Sequence, residues 1–542
     1  MSENNDIDMW LATIAASIED NREPATHIYH CFIQYPKSAF EVVEKIAAMD
    51  ERGIDTKHAY YSACIFALDV CVAQLQAAFE NGNKQAEREL HQLMDLLAVK
   101  INAKTHTLLF WLPILNAFYD VHVELNPALK TAYLNLVEQD EEVDDGVSYI
   151  NSIRDLIHEL SDLTVFDIAE HFFAQSYAMP PDFFSDLLYD LFSIEEGQEI
   201  GLLALMHPES DVREVVVSTF DFLLPSIRLS SLSLTRLKAI SHWYPASYQD
   251  SFSRWIKEQR LKEVVFQPPQ PAHLMKISAS EIDGGGAQGL FLKMKRGKKY
   301  RMCGLLLKHE HGIKDVWLTP YLSFTEMKQY QDEVFNDDVT IREVDMEYFK
   351  KIIQHFLDET LQKMHMPDLH LLELQEEIGE VLLPESMDVS EMIEQLAVQI
   401  DPFTPEIVQK ALKRSKNWFS QKPYAHAWFV ENAEVDRWVN RYSVYENGVK
   451  TCQYEDAMRA VFEHEFEARR TRWLFHFLWV SLWLKAKNRK NEILWKETFL
   501  VAYAIYSGTP MNEIPIMQVI CHHTVLNSMD TMQLRRTHLS QE

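Results

Sequence analysis

One stretch of this sequence, Asp283 to Pro320, strongly limits what the chain can fold into, because it alone carries a clear β-type pattern. Seven of the fifteen glycines lie between Gly284 and Gly312. Tight turns are expected at Arg296-Gly297-Lys298 and at His309 to Gly312. The strands predicted around these turns are Leu290 to Lys295, Tyr300 to Leu307 and Ile313 to Thr319. We therefore expect a small antiparallel β-meander inserted into a chain that is otherwise helical.

The rest of the chain carries the pattern of α-helices. Between Lys57 and Glu80 the apolar residues recur at spacings of three and four, which places them on one buried stripe. Gly82 follows and can adopt the left-handed conformation that ends a helix. The segments Ser38-Ala-Phe-Glu41 and Ser323-Phe-Thr-Glu326 match the capping box that opens a helix. The fold class predicted from these patterns is mainly α.

The charge of the chain is strongly acidic and unevenly distributed. The 81 acids and 52 bases give a net charge of −29. Residues 1–270 hold 42 acids and 19 bases, so most of the excess lies in the first half. A chain of this charge is not expected to coat nucleic acid indiscriminately, and any such contact has to be local.

The composition favours an ordinary globular protein of the cytoplasm. Six scattered cysteines without a CxxC pair argue against a zinc ribbon and a disulfide framework. The polar segment Met1 to Asp8 does not resemble a secretory signal. The longest strongly apolar run, Trp473 to Leu484, is too short to span a bilayer and predicts a buried helix, so no transmembrane segment is expected.

Two segments mark predicted domain boundaries. The acidic run Gln139 to Gly146 has nothing to bury, and Gln267-Pro-Pro-Gln-Pro271 prevents helix formation. The predicted domains are an N-terminal helical domain (1–145), helical repeats (146–265), a basic β-meander (272–322) and a tryptophan-rich helical domain (323–542).

The middle of the chain shows a helix, a proline-marked turn and a second helix. The segment Gly201 to Arg213 contains Pro208 in the turn, followed by Asp211 and Arg213, and so resembles a HEAT repeat. Looser copies surround Pro181 and Pro245, and the resemblance covers about residues 148–262. It implies an αα-solenoid architecture, and it implies by analogy a surface that binds other macromolecules.

The motifs that could indicate catalysis or a cofactor do not fit their contexts. Gly284-Gly-Gly286-Ala-Gln-Gly289 has the GxGxxG form, but a predicted strand follows where a dinucleotide-binding fold needs a helix. Neither His-Arg-Asp nor Asp-Phe-Gly occurs, which argues against a protein kinase. His309-Glu310-His311 lacks an identifiable third metal ligand, and His464-Glu465 lacks the second zincin histidine. We therefore expect no cofactor, no metal and a turn at the glycines.

A cluster of basic residues on the predicted hairpin is the candidate binding site. As an anion site it could take nucleic-acid phosphate, a lipid headgroup or an acidic protein surface. As a structural feature it could discourage edge pairing or rest against the acidic half of the chain. The members of the cluster are Lys293, Lys295, Arg296, Lys298, Lys299 and Arg301.

Taken together, these features favour a non-catalytic scaffold protein that binds a protein partner through a helical-repeat surface. Two alternatives stay open. The protein could be a nucleic-acid-associated regulator that binds phosphate through the basic hairpin. It could also be an enzyme whose site is assembled from residues distant in sequence.

Overall fold

The computed structural model describes residues 3–20, 22, 24, 26–51, 59–141, 147–334, 339–446, 449–487 and 492–539. The chain divides into two compact units, residues 1–229 and residues 230–542. Residues 142–146 of the acidic run predicted as a boundary lie outside the described residues. The four domains expected from the sequence are not tested by this division into two units and stay a prediction.

The first unit is built of α-helices. Its helices are α1 (Glu3–Glu19), α2 (Thr26–Gln34), α3 (Ser38–Ala47), α4 (Ala59–Glu80), α5 (Lys84–Asn102), α6 (Leu108–Tyr119), α7 (Pro127–Glu141), α8 (Val147–Glu159), α9 (Val165–Gln175), α10 (Phe183–Ser193), α11 (Gln198–Leu203) and α12 (Ser210–Leu223).

Helix α4 is the central helix of the first unit. It packs against α1, α2, α3, α5 and α6, and Cys64, Leu68 and Cys71 on it are fully buried. The predicted stripe is buried at Tyr61, Cys64, Leu68, Val72 and Leu75, but Phe79 near the end of the helix is 39% exposed, so the prediction is wrong there. Gly82 after the helix has the expected positive φ of 84°. By length and composition α4 is the one described helix that could cross a membrane. The expectation of no transmembrane segment stays a prediction.

The two predicted capping boxes have different outcomes. Glu326 accepts a hydrogen bond from the Ser323 amide at 2.7 Å, as predicted. The Ser38 prediction is wrong, because Lys37 before it is already helical and Ser38 lies inside the first turn of α3. The Ser38 hydroxyl donates to the Tyr35 carbonyl at 2.6 Å instead.

The HEAT-like unit has a clear local geometry around Pro208. Helix α11 continues as a short 3₁₀ turn to Met206, and α12 begins two residues after the proline. Arg213 Nη1 donates to the carbonyls of His207 and Pro208, both at 2.6 Å, and so fastens the turn to the second helix. Membership of the HEAT family stays a prediction.

The second unit combines helices with two sheets. Its elements are α13 (Ser231–Ser241), α14 (Gln249–Leu261), β1 (His273–Ser280), β2 (Ala287–Arg296), β3 (Lys299–Lys308), β4 (Gly312–Leu318), α15 (Phe324–Val334), β5 (Ile341–Val344), α16 (Met346–Gln362), α17 (Leu369–Ile378), α18 (Val389–Ala397), α19 (Pro405–Ser415), α20 (Trp418–Gln421), α21 (Ala433–Arg441), β6 (Ser443–Glu446), β7 (Val449–Cys452), α22 (Tyr454–Val461), a π-helical turn (Phe462–Glu467), α23 (Arg470–Lys485), α24 (Glu492–Tyr506) and α25 (Pro515–Leu539).

The main sheet is antiparallel, with the strand order β4-β3-β2-β1-β5. The predicted meander is confirmed as β2, β3 and β4, and the fold is mainly α as expected. Strands β1 and β5 were not predicted. Strand β1 follows a proline-rich segment and contains a bulge between Leu274 and Lys276, while β5 has four residues. Neither strand therefore carries a run of clean alternation.

One face of this sheet packs on helices. The side chains of Leu290, Leu292 and Met294 are fully buried on that face. On the same face, Gln288 Oε1 accepts hydrogen bonds from the Tyr348 hydroxyl at 2.7 Å and from Trp479 Nε1 at 3.2 Å. These bonds tie β2 to α16 and α23. The predicted burial of the Trp473–Leu484 run is confirmed, since most of α23 is buried. On the opposite side, α15 packs against β3, and Met302 there is 1% exposed, whereas Lys276 on β1 is exposed. We call this partly covered side of the sheet the open face.

Candidate functional site

The basic cluster lies on the hairpin formed by β2 and β3. Arg296 pairs with Lys299, so Gly297 and Lys298 form a two-residue loop. Gly297 has a φ of 60° and no atom near the position of a Cβ, so the conformation of the turn explains the glycine. Since side chains alternate along a strand, the six basic residues are divided between the two faces and the tip.

Arg301 lies on the buried face and is 3% exposed. Its Nη1 atom is 2.8 Å from Glu373 Oε1 and 3.1 Å from Glu377 Oε1, and its Nε donates to the Thr319 carbonyl at 2.6 Å. Burial lowers the pKa of the Arg301 guanidinium, but the two carboxylates more than offset this and raise it. The charge of Arg301 is therefore matched inside the unit, by α17.

Arg296 is also bound to α17, although its side chain is half exposed. Its Nη2 donates to Glu377 Oε2 at 3.1 Å and to the Gln270 carbonyl at 3.0 Å. The Tyr321 hydroxyl donates to the same carboxylate oxygen at 2.6 Å. Burial raises the pKa of Tyr321, and the bond to Glu377 adds to this effect. Glu377 thus joins both arginines of the hairpin to one helix.

The four lysines of the cluster have no such partners. Lys293 Nζ donates to Gln331 Oε1 at 3.0 Å, and Lys299 Nζ lies 3.4 Å from the Tyr321 carbonyl. Lys295 Nζ lies 5.3 Å from the centre of the Tyr300 ring. Lys298 is exposed at the tip. Within the described ranges of the chain, none of these four lysines forms an ion pair.

A further lysine belongs to this surface and was not among the predicted residues. Lys276 on β1 lies directly opposite Lys293 on β2, and Lys276 is exposed. The sequence analysis missed it because β1 was not predicted. The alternation of Lys276 with the buried Ile277 was the available signal, but it is short and follows prolines.

Aromatic rings lie beside these lysines. The Tyr300 and Phe324 ring centres are 5.6 Å apart, and Phe324 is 60% exposed. Lys293 Nζ lies 5.7 Å from the Tyr300 ring and 5.9 Å from the Phe324 ring. Further along the open face, Trp317 lies over Gly304, where a Cβ would come within 2.2 Å of its ring. The surface is therefore both basic and aromatic.

The glycine-rich segment forms the turn between β1 and β2, as predicted. A Cβ on Gly284 would lie 2.1 Å from the Phe429 carbonyl oxygen, so close backbone packing requires this glycine. Gly286 has a φ of 74°. Asp283 accepts a hydrogen bond from the Ala287 amide at 2.8 Å, and Arg472 donates to the Gly284 carbonyl at 3.2 Å.

A small cavity behind this turn brings ionisable side chains together. Its volume is about 10 Å³, and its lining includes His309, Arg472 and His476. A cavity of this size holds about one water molecule. His476 Nε2 is buried and has no hydrogen-bond partner among the residues that the structure describes. Burial, with a smaller effect of Arg472, lowers the pKa of His476 to about 3.

A carboxylate on α16 lies next to the same cluster. Glu359 Oε1 is 3.4 Å from His309 Nδ1 and 3.6 Å from His355 Nε2. Burial lowers the pKa of His355 to about 4, although Glu359 opposes this. His464, the other sequence candidate, lies elsewhere and stacks on Trp438 with ring centres 3.9 Å apart. The cavity can hold a bridging water, and it is too small for an organic substrate.

Two parts of the chain are similar to described domain families. Residues 180–263 match the family model "Y4lR second domain", and residues 390–529 match "Y4lR C-terminal helical domain". The main sheet lies outside both matched ranges.

One curated relative carries the name y4lR, as the two domain families do. It is "Uncharacterized protein y4lR" of Sinorhizobium fredii (strain NBRC 101917 / NGR234), 22% identical over 356 residues. The match covers 64% of this chain and 66% of that protein. No solved structure matches the chain.

Proposed function

We propose that the protein is a non-catalytic interaction protein, a helical scaffold that engages an anionic partner through its basic hairpin. The carrying observation is the set of four hairpin lysines without an ion pair among the described residues. The chain to which these lysines belong has a net charge of −29. Complementary charge on a partner accelerates encounter and suppresses wrong partners, which is the role we assign to this surface.

The ionisable cluster behind the glycine turn supports binding rather than catalysis. Its cavity of about 10 Å³ has room for a water molecule but not for a substrate. Burial keeps His355 and His476 neutral at pH 7, since it lowers the pKa of both. These histidines therefore contribute polar packing between the sheet, α16 and α23.

The helical parts supply the scaffold in this proposal. The HEAT-like segment, residues 148–262, supports a protein partner by analogy with surfaces that bind macromolecules. We assign the protein to the cytoplasm, on the composition of the chain. The helical surface and the hairpin would then hold two partners, or two parts of one partner, together.

The test is capture of partners from host extract by the full-length chain. Lys298→Glu/Lys299→Glu reverses the tip charges, and Lys413→Glu/Lys416→Glu on and after α19 provides the control, because both control lysines are also exposed. We expect the wild type and the control to retain a specific partner that the tip variant loses. Light scattering should show the complex as a species of defined mass. A monomer that captures nothing and converts a small molecule would overturn the proposal.

A further inference from the structure

We propose that the open face of the sheet binds single-stranded nucleic acid through Lys276, Lys293 and Lys295 with the rings of Tyr300 and Phe324. This inference rests on the proposed function, because it names the anionic partner of the same hairpin. The proposed ligand is a single strand. The lysines favour an anionic ligand, and the aromatic rings favour a single strand over a duplex or an acidic protein.

The first observation is a pair of like charges. Lys276 lies directly opposite Lys293 in the antiparallel β1–β2 ladder, so both side chains extend from the open face. Like charges in this position repel each other and destabilise a sheet. In the part of the chain that the structure describes, neither lysine has an acidic partner. An anion from outside would remove this repulsion.

The second observation is the spacing of the lysines. Lys293 and Lys295 are two residues apart on β2, which separates them by about 7 Å on one face. Lys298 lies at the tip of the hairpin, whereas Lys299 is opposite Arg296 and shares the face of Arg301. A row of cations at regular intervals is suited to a polymer with regularly spaced charges, as along a phosphate backbone.

The third observation is the position of the aromatic rings. Phe324 is 60% exposed, although a large apolar ring gains little from contact with water. Lys293 Nζ lies within 6 Å of the Tyr300 and Phe324 ring centres, so cations and rings share one surface. Every base of a single strand has a flat face that can stack on such a ring.

These rings distinguish the single strand from the other anions. The bases of a duplex are stacked on each other and present mainly phosphates to a protein surface. An acidic peptide offers carboxylates but few flat rings. A single strand supplies phosphates for Lys276, Lys293 and Lys295 and unstacked bases for Phe324.

The experiment uses fluorescence anisotropy with the full-length protein and a labelled 20-nucleotide oligo(dT). A duplex of the same length and a labelled 20-residue polyglutamate peptide are the comparison probes. We expect oligo(dT) to bind most tightly, with an affinity that falls as salt rises from 50 to 200 mM. Three phosphate contacts correspond to a slope of about −2 in a plot of log K against log salt concentration.

Two variants test the charges and the ring separately. Lys276→Gln/Lys293→Gln/Lys295→Gln should weaken oligo(dT) binding at least about tenfold and flatten the salt slope. The control is Lys410→Gln/Lys413→Gln/Lys416→Gln, which changes three exposed lysines. It should leave the affinity for oligo(dT) and the salt slope unchanged.

Phe324→Ala should weaken binding about tenfold with an unchanged salt slope, because it removes stacking and no charge. Val398→Ala is its control, since Val398 is 85% exposed. Thermal melting of every variant checks that the fold is kept.

The outcomes separate this inference from the proposed function. Binding of polyglutamate instead of oligo(dT), lost in the lysine variant, would overturn the single-strand inference and leave an acidic protein as the partner. Tighter binding of the duplex, or an unchanged affinity in Phe324→Ala, would also overturn it. If none of the probes binds and the tip variant still captures its partner from host extract, both proposals are wrong.

Discussion

The two faces of the main sheet carry basic residues in contrasting environments. On the buried face, Arg301 lies between Glu373 and Glu377, and its charge is matched within the unit. On the open face, Lys276 lies opposite Lys293, and neither lysine has an acidic partner among the residues that the structure describes. This difference supports the proposal that the buried charge stabilises the fold and that the charges of the open face bind a partner. Each prediction below changes one side of this comparison.

The largest effect is expected on the buried face. Arg301→Met keeps most of the side-chain volume but removes the arginine that lies 2.8 Å from the buried Glu373, and it leaves Glu377 with Arg296 alone of its two arginines. Removing one partner of a buried ion pair costs about 3 to 5 kcal/mol of folding free energy. Urea denaturation monitored by tryptophan fluorescence would measure this loss.

Arg296→Ala is the matched control, because its side chain contacts the same Glu377 but is 50% exposed. The expected loss is about 1 kcal/mol or less, since water screens exposed pairs. Equal losses of folding free energy in the two variants would show that the buried Arg301 and the exposed Arg296 contribute equally to stability.

The second effect concerns the buried histidines beneath the sheet. In the unfolded chain a histidine binds a proton below a pKa of about 6.5. In the folded chain burial lowers the pKa of His476 to about 3, so folding excludes this proton. The stability that the neutral His476 contributes is therefore fully present above pH 6.5 and is lost as the pH falls towards 3.

His476→Phe should abolish this contribution to the pH dependence. The difference in unfolding free energy between wild type and His476→Phe should change by about 2 kcal/mol, to the disadvantage of the wild type, between pH 7 and pH 5. Denaturation curves at both pH values measure it. A constant difference would mean that His476 takes up a proton without unfolding.

The smallest effect is expected on the open face, and its sign is reversed. Lys276→Glu replaces two like charges by an opposite pair across β1 and β2. We expect a gain of about 0.2 to 1 kcal/mol in stability, together with weaker binding of the anionic partner. Lys410→Glu on α19 is the control for the change in net charge. A loss of stability in Lys276→Glu would show that Lys276 is required by the fold.

Features that depend on a few neighbouring residues were predictable from the sequence. The end of α4 at Gly82, the capping box of Ser323 with Glu326 and the three strands of the meander are all confirmed. Each follows from backbone preferences or from alternation within a short window. The exception is Ser38, where the sequence matches a capping box but the preceding turn is already helical.

Features that depend on distant residues were not predictable. The sequence showed six basic residues on one hairpin but could not show that Glu377, far along the chain, binds two of them. It also could not show that Lys276 lies opposite Lys293, because strand pairing is set by packing across the sheet. The same holds for the encounter of His309 with Glu359 on α16.

The sequence alone determined the fold class, the place of the β-meander and the basic character of its hairpin, because periodicity and composition are local properties. Only the tertiary structure decided which charges of the hairpin form ion pairs with other described residues of the chain. Alternation along β3 sends Tyr300 and Arg301 to opposite faces. Packing decides the rest: α17 pairs the charge of Arg301, while α15 covers only part of the other face. That choice depends on contacts between residues far apart in the chain, and it separates the charges paired within the fold from those without an ion pair among the described residues.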